Sequence, residues 1–172
     1  MSRPRDDEYA ESYRDYVGLV PEDDILTVLA AQSDELRTLL ARVPPERETF
    51  RYGPGKWSIR EVMGHIGDGE RVFGYRAFCI SRGDQASLPG FDENDYVDAS
   101  GYDRRPLGGL LEVFESLRAA NLAELRAIDA DAWNRVGLAN DTPVSVRALA
   151  FMLAGHVRHH MTILTNLYQV PR

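Results

Sequence analysis

The chain has 172 residues, 44% of them apolar, and a formal net charge of −7. That suits a single domain large enough to bury a proper core. The arginines are scattered among acids and form no basic stripe, so nucleic acid is excluded as the main partner. One cysteine, Cys79, permits no intrachain disulfide. The charged N-terminal stretch lacks the apolar segment of a signal peptide, and no run approaches the ~18 apolar residues of a membrane span. A cytoplasmic chain with no membrane partner is expected.

Residues 1–20 read as an N-terminal arm, and residues 21–172 as the main domain. The pattern becomes helical at Pro21, with Leu29, Leu36 and Val43 seven apart and acids in the first turn. This predicts a first helix over 21–43, stopped by Pro44 and Pro45. A loop with Gly53, Pro54 and Gly55 follows. Ser58 and Glu61 then form a capping box, and Trp57 with Val62 matches a hydrophobic staple. The second helix is predicted from there to Ser81. Its glycines at 64, 67, 69 and 74 cost helix propensity and would admit close packing. Residues 82–106 show no clear period and predict a long loop over one end of the domain, a candidate lid. A third helix is predicted over 107–128, with Leu107, Leu110, Leu111, Phe114, Leu117, Leu125 and Ile128 on its apolar face. Thr142 as cap and Pro143 at the first position predict a last helix running to Tyr168. The fold class expected is all-α, a four-helix bundle with a long loop between the second and third helices.

The last helix carries three of the four histidines in "GHVRHH". At 100° per residue, Leu149, Leu153, His156, His160, Ile163 and Leu167 share one arc. His159 falls on its edge. On the second helix His65 shares an arc with Val62, Gly69, Val72 and Ile80. Three imidazoles from two helices therefore point into one core. A single buried histidine is ordinarily a core residue bonded to a carbonyl or water. Three converging rings match a different pattern, in which an i,i+4 pair and a third ligand from a facing helix hold one metal and leave a position open. There is no H-E-x-x-H, no pair of Glu-x-x-His helices, no phosphate-binding loop and no nucleophile elbow. Glu61 and Asp68, one turn to either side of His65, are candidates to orient a ligand ring or act as a base; the competing readings are a helix cap and a solvated aspartate. Arg76 falls on the inner or boundary side of the second helix, and Asn121 reads as a buried polar partner or a boundary residue. Cys79 reads as a small core residue.

The segment Trp57, Ser58, Glu61, His65, followed at a distance by His156, His159 and His160, resembles the DinB/YfiT-like superfamily. The stretch "LPGFDENDYV" is also similar to a connection in its members, and the likeness spans roughly residues 22–168. The resemblance implies an up-down-down-up four-helix bundle, often a homodimer. It implies one divalent metal ion (zinc, nickel or iron) on His65, His156 and His160, with His159 outside the ligand set and Asp68 matching a frequent aspartate. It further implies a small-molecule substrate and, as in some members, a low-molecular-weight thiol as cofactor or co-substrate. The leading expectation is a thiol-dependent S-transferase acting on small electrophiles. The alternatives are a metal-dependent hydrolase and a non-enzymatic metal- or ligand-binding stress protein.

Overall fold

The computed structural model describes residues 2–171. Six α-helices are present: α1 (Arg14–Gly18), α2 (Ile25–Leu40), α3 (Ile59–Ser81), α4 (Glu93–Ser100), α5 (Leu107–Ala127) and α6 (Val146–Asn166). Helices α2, α3, α5 and α6 form the bundle. α3 and α2 each pack against both α5 and α6, so α2 and α3 sit on opposite corners, and the most extensive interface joins α3 to α6. The last two are the histidine-bearing helices. Among the described residues no helix is long and apolar enough to cross a membrane.

The best-marked boundary in the sequence is the one the structure follows most closely. Ser58 Oγ accepts from the Glu61 amide, and the Glu61 carboxylate accepts from the Ser58 amide. Two otherwise orphaned amides are thereby satisfied, which starts α3 at Ile59. The first bundle helix begins later than its acids suggest: Asp24 caps it, accepting from the Thr27 amide, and it ends at Leu40 rather than Val43.

Three departures from the sequence-based expectation have physical causes. Residues 82–106 are not a plain loop. They contain the short strand β1 (Ser87–Leu88) and α4, capped by Asp92 and ended by Gly101 at φ 64°. Only Val97 of α4 is buried, so no apolar period marks it. The last helix does not begin at Pro143. Residues Thr142–Ser145 form strand β3, which pairs antiparallel with β2 (Val136–Ala139), and β1 adds to β2 in parallel. Asn140 and Asp141, at φ 51° and 57°, make the two-residue turn between β2 and β3. Ser145 then caps α6 by accepting from the Ala148 amide. Finally, Leu167 is 47% exposed, because α6 ends at Asn166 and the chain leaves the arc the helix would have continued.

Residues 2–20 pack onto the bundle. Arg3 donates to the carbonyls of Val17 and Val20, whose side chains are fully buried. Glu8 accepts from Ser145 Oγ and forms an ion pair with Arg147 at the start of α6. A Cβ on Gly155 would overlap the Tyr16 carbonyl, so α1 lies directly on the backbone of α6. Across the bundle interior, Arg118 of α5 makes a two-pronged ion pair with Glu70 of α3 at 2.9 and 2.7 Å. It also donates to Gln32 Oε1 and the Leu29 carbonyl of α2. Asn121, half-buried on α5, completes the cluster by donating to Glu70.

Candidate metal centre

His65, in the second turn of α3, and His156 and His160, one turn apart on α6, come together inside the α3–α6 interface. Each offers one ring nitrogen such that all three lie within 4.8 Å of one another. The Nε2 atoms of His65 and His156 are 3.0 Å apart. Tetrahedral coordination at metal–nitrogen lengths of about 2.0–2.1 Å separates donors by roughly 3.3 Å, so the pair needs only a small adjustment. All three rings are almost wholly buried, at 6, 3 and 6% exposure.

Sequence features explain the closeness. Gly69 lies under the His156 ring: a Cβ there would fall 2.6 Å from Nδ1 and closer still to Cε1. The helix-weakening glycine thus makes room for a ligand ring. Gly64, the next such position, admits the Tyr102 ring in the same way. Trp57, the staple residue, packs against His65 with ring centroids 4.8 Å apart. Tyr16 of α1 meets the edge of His156.

The electrostatics favour the neutral, ligating form of imidazole. Burial, with a smaller contribution from His159, lowers His65 to about 4. Burial and then the neighbouring histidines push His156 and His160 well below the usual range. Neutral rings keep their lone pairs for a metal at physiological pH. Both ring nitrogens of His160, and Nδ1 of His65, are buried without a hydrogen-bond partner among the described residues. Such groups are costly to leave unpaired. A cation at the point where the rings converge would satisfy the inward-facing lone pairs, and the donor set fits a divalent transition metal.

The remaining candidates separate clearly. His159 is half-buried, meets the Tyr16 ring edge-on, and lies outside the three-nitrogen group. The Glu61 carboxylate accepts from the Ser58 amide and pairs with Arg51, as the cap reading predicts. Asp68 accepts from the Tyr102 hydroxyl at 2.7 Å, while its other oxygen is buried without a partner. Burial raises its carboxyl pKa, against the lowering effect of that hydrogen bond. Cys79 is a buried core residue.

Two clefts reach the histidines from different sides. One, about 290 Å3, is lined by His65 and His156 with Tyr13 and Tyr16 of the arm, Arg76 of α3 and Glu93 of α4. The other, about 210 Å3, is lined by His160, Trp57, Tyr168 and Asn94. Gly90, Phe91 and Glu93 line the first and Asn94 the second, so the segment between α3 and α5 does lie over the site. A larger cleft, about 640 Å3, runs between α2 and α6 and contains none of the histidines. The sequence reading missed the arm tyrosines, Glu93 and Asn140 as cleft residues. The spacing of Tyr9, Tyr13, Val17 and Val20 was the available signal for a packed arm.

A bundle of this topology with three buried, converging histidines is a YfiT-like architecture. Residues 29–164 match the model of the DinB superfamily, and the chain belongs to that superfamily. Among solved structures it is similar to YfiT from Bacillus subtilis, described as a probable metal-dependent hydrolase with an unusual four-helix bundle topology. The TM-score is 0.75 at 18% identity, over 96% of this chain and 91% of that one. It is also similar to the mycothiol-dependent maleylpyruvate isomerase, with a TM-score of 0.69 at 15% identity; 86% of this chain is covered, against 63% of the isomerase. No curated protein matches the sequence.

Proposed function

We propose that His65, His156 and His160 hold one divalent metal ion, and that the chain is an enzyme joining a low-molecular-weight thiol to a small electrophile. The observation that carries the reading is the convergence of three buried imidazoles, with both nitrogens of His160 and Nδ1 of His65 lacking a hydrogen-bond partner among the described residues. When bound, the metal supplies Lewis acidity, which makes a thiol or a water a competent nucleophile near neutral pH. The chain's own residues do the rest. Gly69 and Trp57 fix the ring positions. The aromatic walls of Tyr13, Tyr16 and Phe73 exclude water from the cleft beside His65 and His156. In the addition form of the reaction a sulfur–carbon bond forms, the electrophile's π bond breaks, and the thiol proton ends on the adjacent carbon. Nothing is oxidised. The likeness to a mycothiol-dependent isomerase supports thiol use. The likeness to YfiT favours a second reading, hydrolysis by activated water at the same site.

The test begins with metal content, measured on protein purified without chelator or nickel resin, beside His156→Ala. The expected result is about one metal per chain, absent from the variant. The loaded protein is then given thiols of several kinds with model electrophiles, and separately esters and amides without thiol. Thiol consumption supports the transferase. Ester or amide cleavage alone selects the hydrolase. Metal with no turnover in either panel leaves a metal-binding protein that is not an enzyme, and no metal overturns the reading.

A further inference from the structure

The cleft beside His65 and His156 contains a second feature that the histidines do not explain. Arg76 is buried to 3% exposure on α3, two turns beyond Gly69. A buried guanidinium is normally paired, as Arg118 is with Glu70. Arg76 is not. Its one side-chain hydrogen bond among the described residues runs from Nη2 to the Pro89 carbonyl at 2.7 Å, and no carboxylate lies within ion-pair distance. Nε and Nη1 make no hydrogen bond among the described residues, and Arg76 lines both the cleft it shares with His65 and His156 and a narrow one beside β3.

A partner of stated chemistry fits this arrangement. Among the described residues Arg76 is the only Lys or Arg lining the cleft, and Glu93 at the rim opposes any large excess of negative charge. One cation in a confined space matches a single negative charge. A planar carboxylate also suits the planar donor fork of arginine better than a phosphate dianion, which would find no second cation. Phe73, Phe91, Tyr13 and Tyr16 provide apolar wall for an unsaturated or aromatic carbon skeleton. The Asn140 side chain closes over Gly90, where a Cβ would lie 2.6 Å from its Oδ1, and holds the β1 approach in place.

We propose that Arg76 is the carboxylate-binding residue of this cleft, and that the small electrophile is therefore an unsaturated or aromatic carboxylic acid. The proposal rests on the reading of the cleft as the substrate site. Its test is independent of the metal.

Benzoate, its uncharged isostere benzamide, and inorganic phosphate are titrated into the chain as purified and again after metal removal and dialysis. Binding is followed by calorimetry and by the Arg76 Nε–Hε resonance. The expected result is benzoate binding that survives metal removal, shifts that resonance, and exceeds binding of benzamide and phosphate at least tenfold. Arg76→Ala is expected to lose at least tenfold in benzoate affinity, and Arg76→Lys to retain part of it. The lysine variant and the wild-type resonance keep the test decisive should Arg76→Ala fail to fold. Equal binding of benzoate and benzamide, tighter binding of phosphate, a silent Arg76 resonance, or benzoate binding that disappears with the metal would each overturn the proposal. Failure of the metal reading shows separately, as absence of metal in the same samples.

Discussion

Gly69 and His156 occupy space that permits no other pairing: any side chain on Gly69 would intrude on the His156 ring. Alanine in a helix is worth up to ~1 kcal/mol over glycine, whereas forcing extra volume into a packed interior costs about 1–3 kcal/mol. The neighbour here is a buried ring and not a flexible chain end, so the second effect wins. Gly69→Ala is expected to fold with a lower melting temperature and to lose most bound metal. Metal content and a thermal melt on the same preparation check both parts.

Metal removal should lower stability without unfolding the chain, because α3 and α6 are joined by apolar packing as well as by the three rings. A metal present at ~1,000 times its dissociation constant adds about 4 kcal/mol. For a chain of this size that corresponds to roughly 8–16 °C. Calorimetry before and after chelation, with the chelator dialysed away, measures the difference. An unchanged melt in protein shown to have held metal would contradict a site inside the bundle.

The Arg118–Glu70 pair gives a prediction of larger size. Removing one member of a buried ion pair leaves the other charged and unpaired, at about 3–5 kcal/mol. Arg118→Met should therefore destabilise severely. The double change Arg118→Met with Glu70→Leu should recover much of the loss, since an apolar pair of similar volume is often neutral. Chemical denaturation of the two variants separates these outcomes.

Glu8 ties the arm to α6 and gives the chain an acid sensitivity of definite sign. Burial raises its pKa, but hydrogen bonds from Arg147, Ser145 and the Arg5 amide outweigh this, and the net value is lowered. The unfolded chain, with an ordinary carboxyl near 4.5, binds a proton where the folded chain does not. The stabilisation is complete above that value and is lost as pH falls below it. Glu8→Gln should cost about 2 kcal/mol at neutral pH and flatten the acid limb of the stability curve. Limited proteolysis should also cut the arm sooner in the variant.

Signals that act locally were readable in the residues. The capping box at Ser58 and Glu61 needs nothing beyond four consecutive positions, and the arcs that placed His65, His156 and His160 inward need only helical periodicity. What could not be read depends on distant partners. Arg118 sits among leucines as any surface arginine would, and only Glu70, 48 residues away, makes its burial tolerable. Pro143 has the look of a helix start, yet pairing of 142–145 with 136–139 places it in an edge strand, where its missing N–H costs nothing. Helix α4 is amphipathic around a single buried valine, too little for a periodic signal.

The cluster around Arg118 draws at least one contact from every bundle helix: Leu29 and Gln32 from α2, Glu70 from α3, Asn121 from α5 itself, and the Ala154 carbonyl of α6 through Gln32. Leucine layers tolerate small axial slips, since one apolar contact replaces another. Here a slip of a single residue would strand a guanidinium in hydrocarbon. The helices are therefore keyed lengthwise, with Glu70 adjacent to Gly69 and Ala154 two residues before His156. The alignment that brings imidazoles from separate helices to one point is set by polar groups that never touch that point.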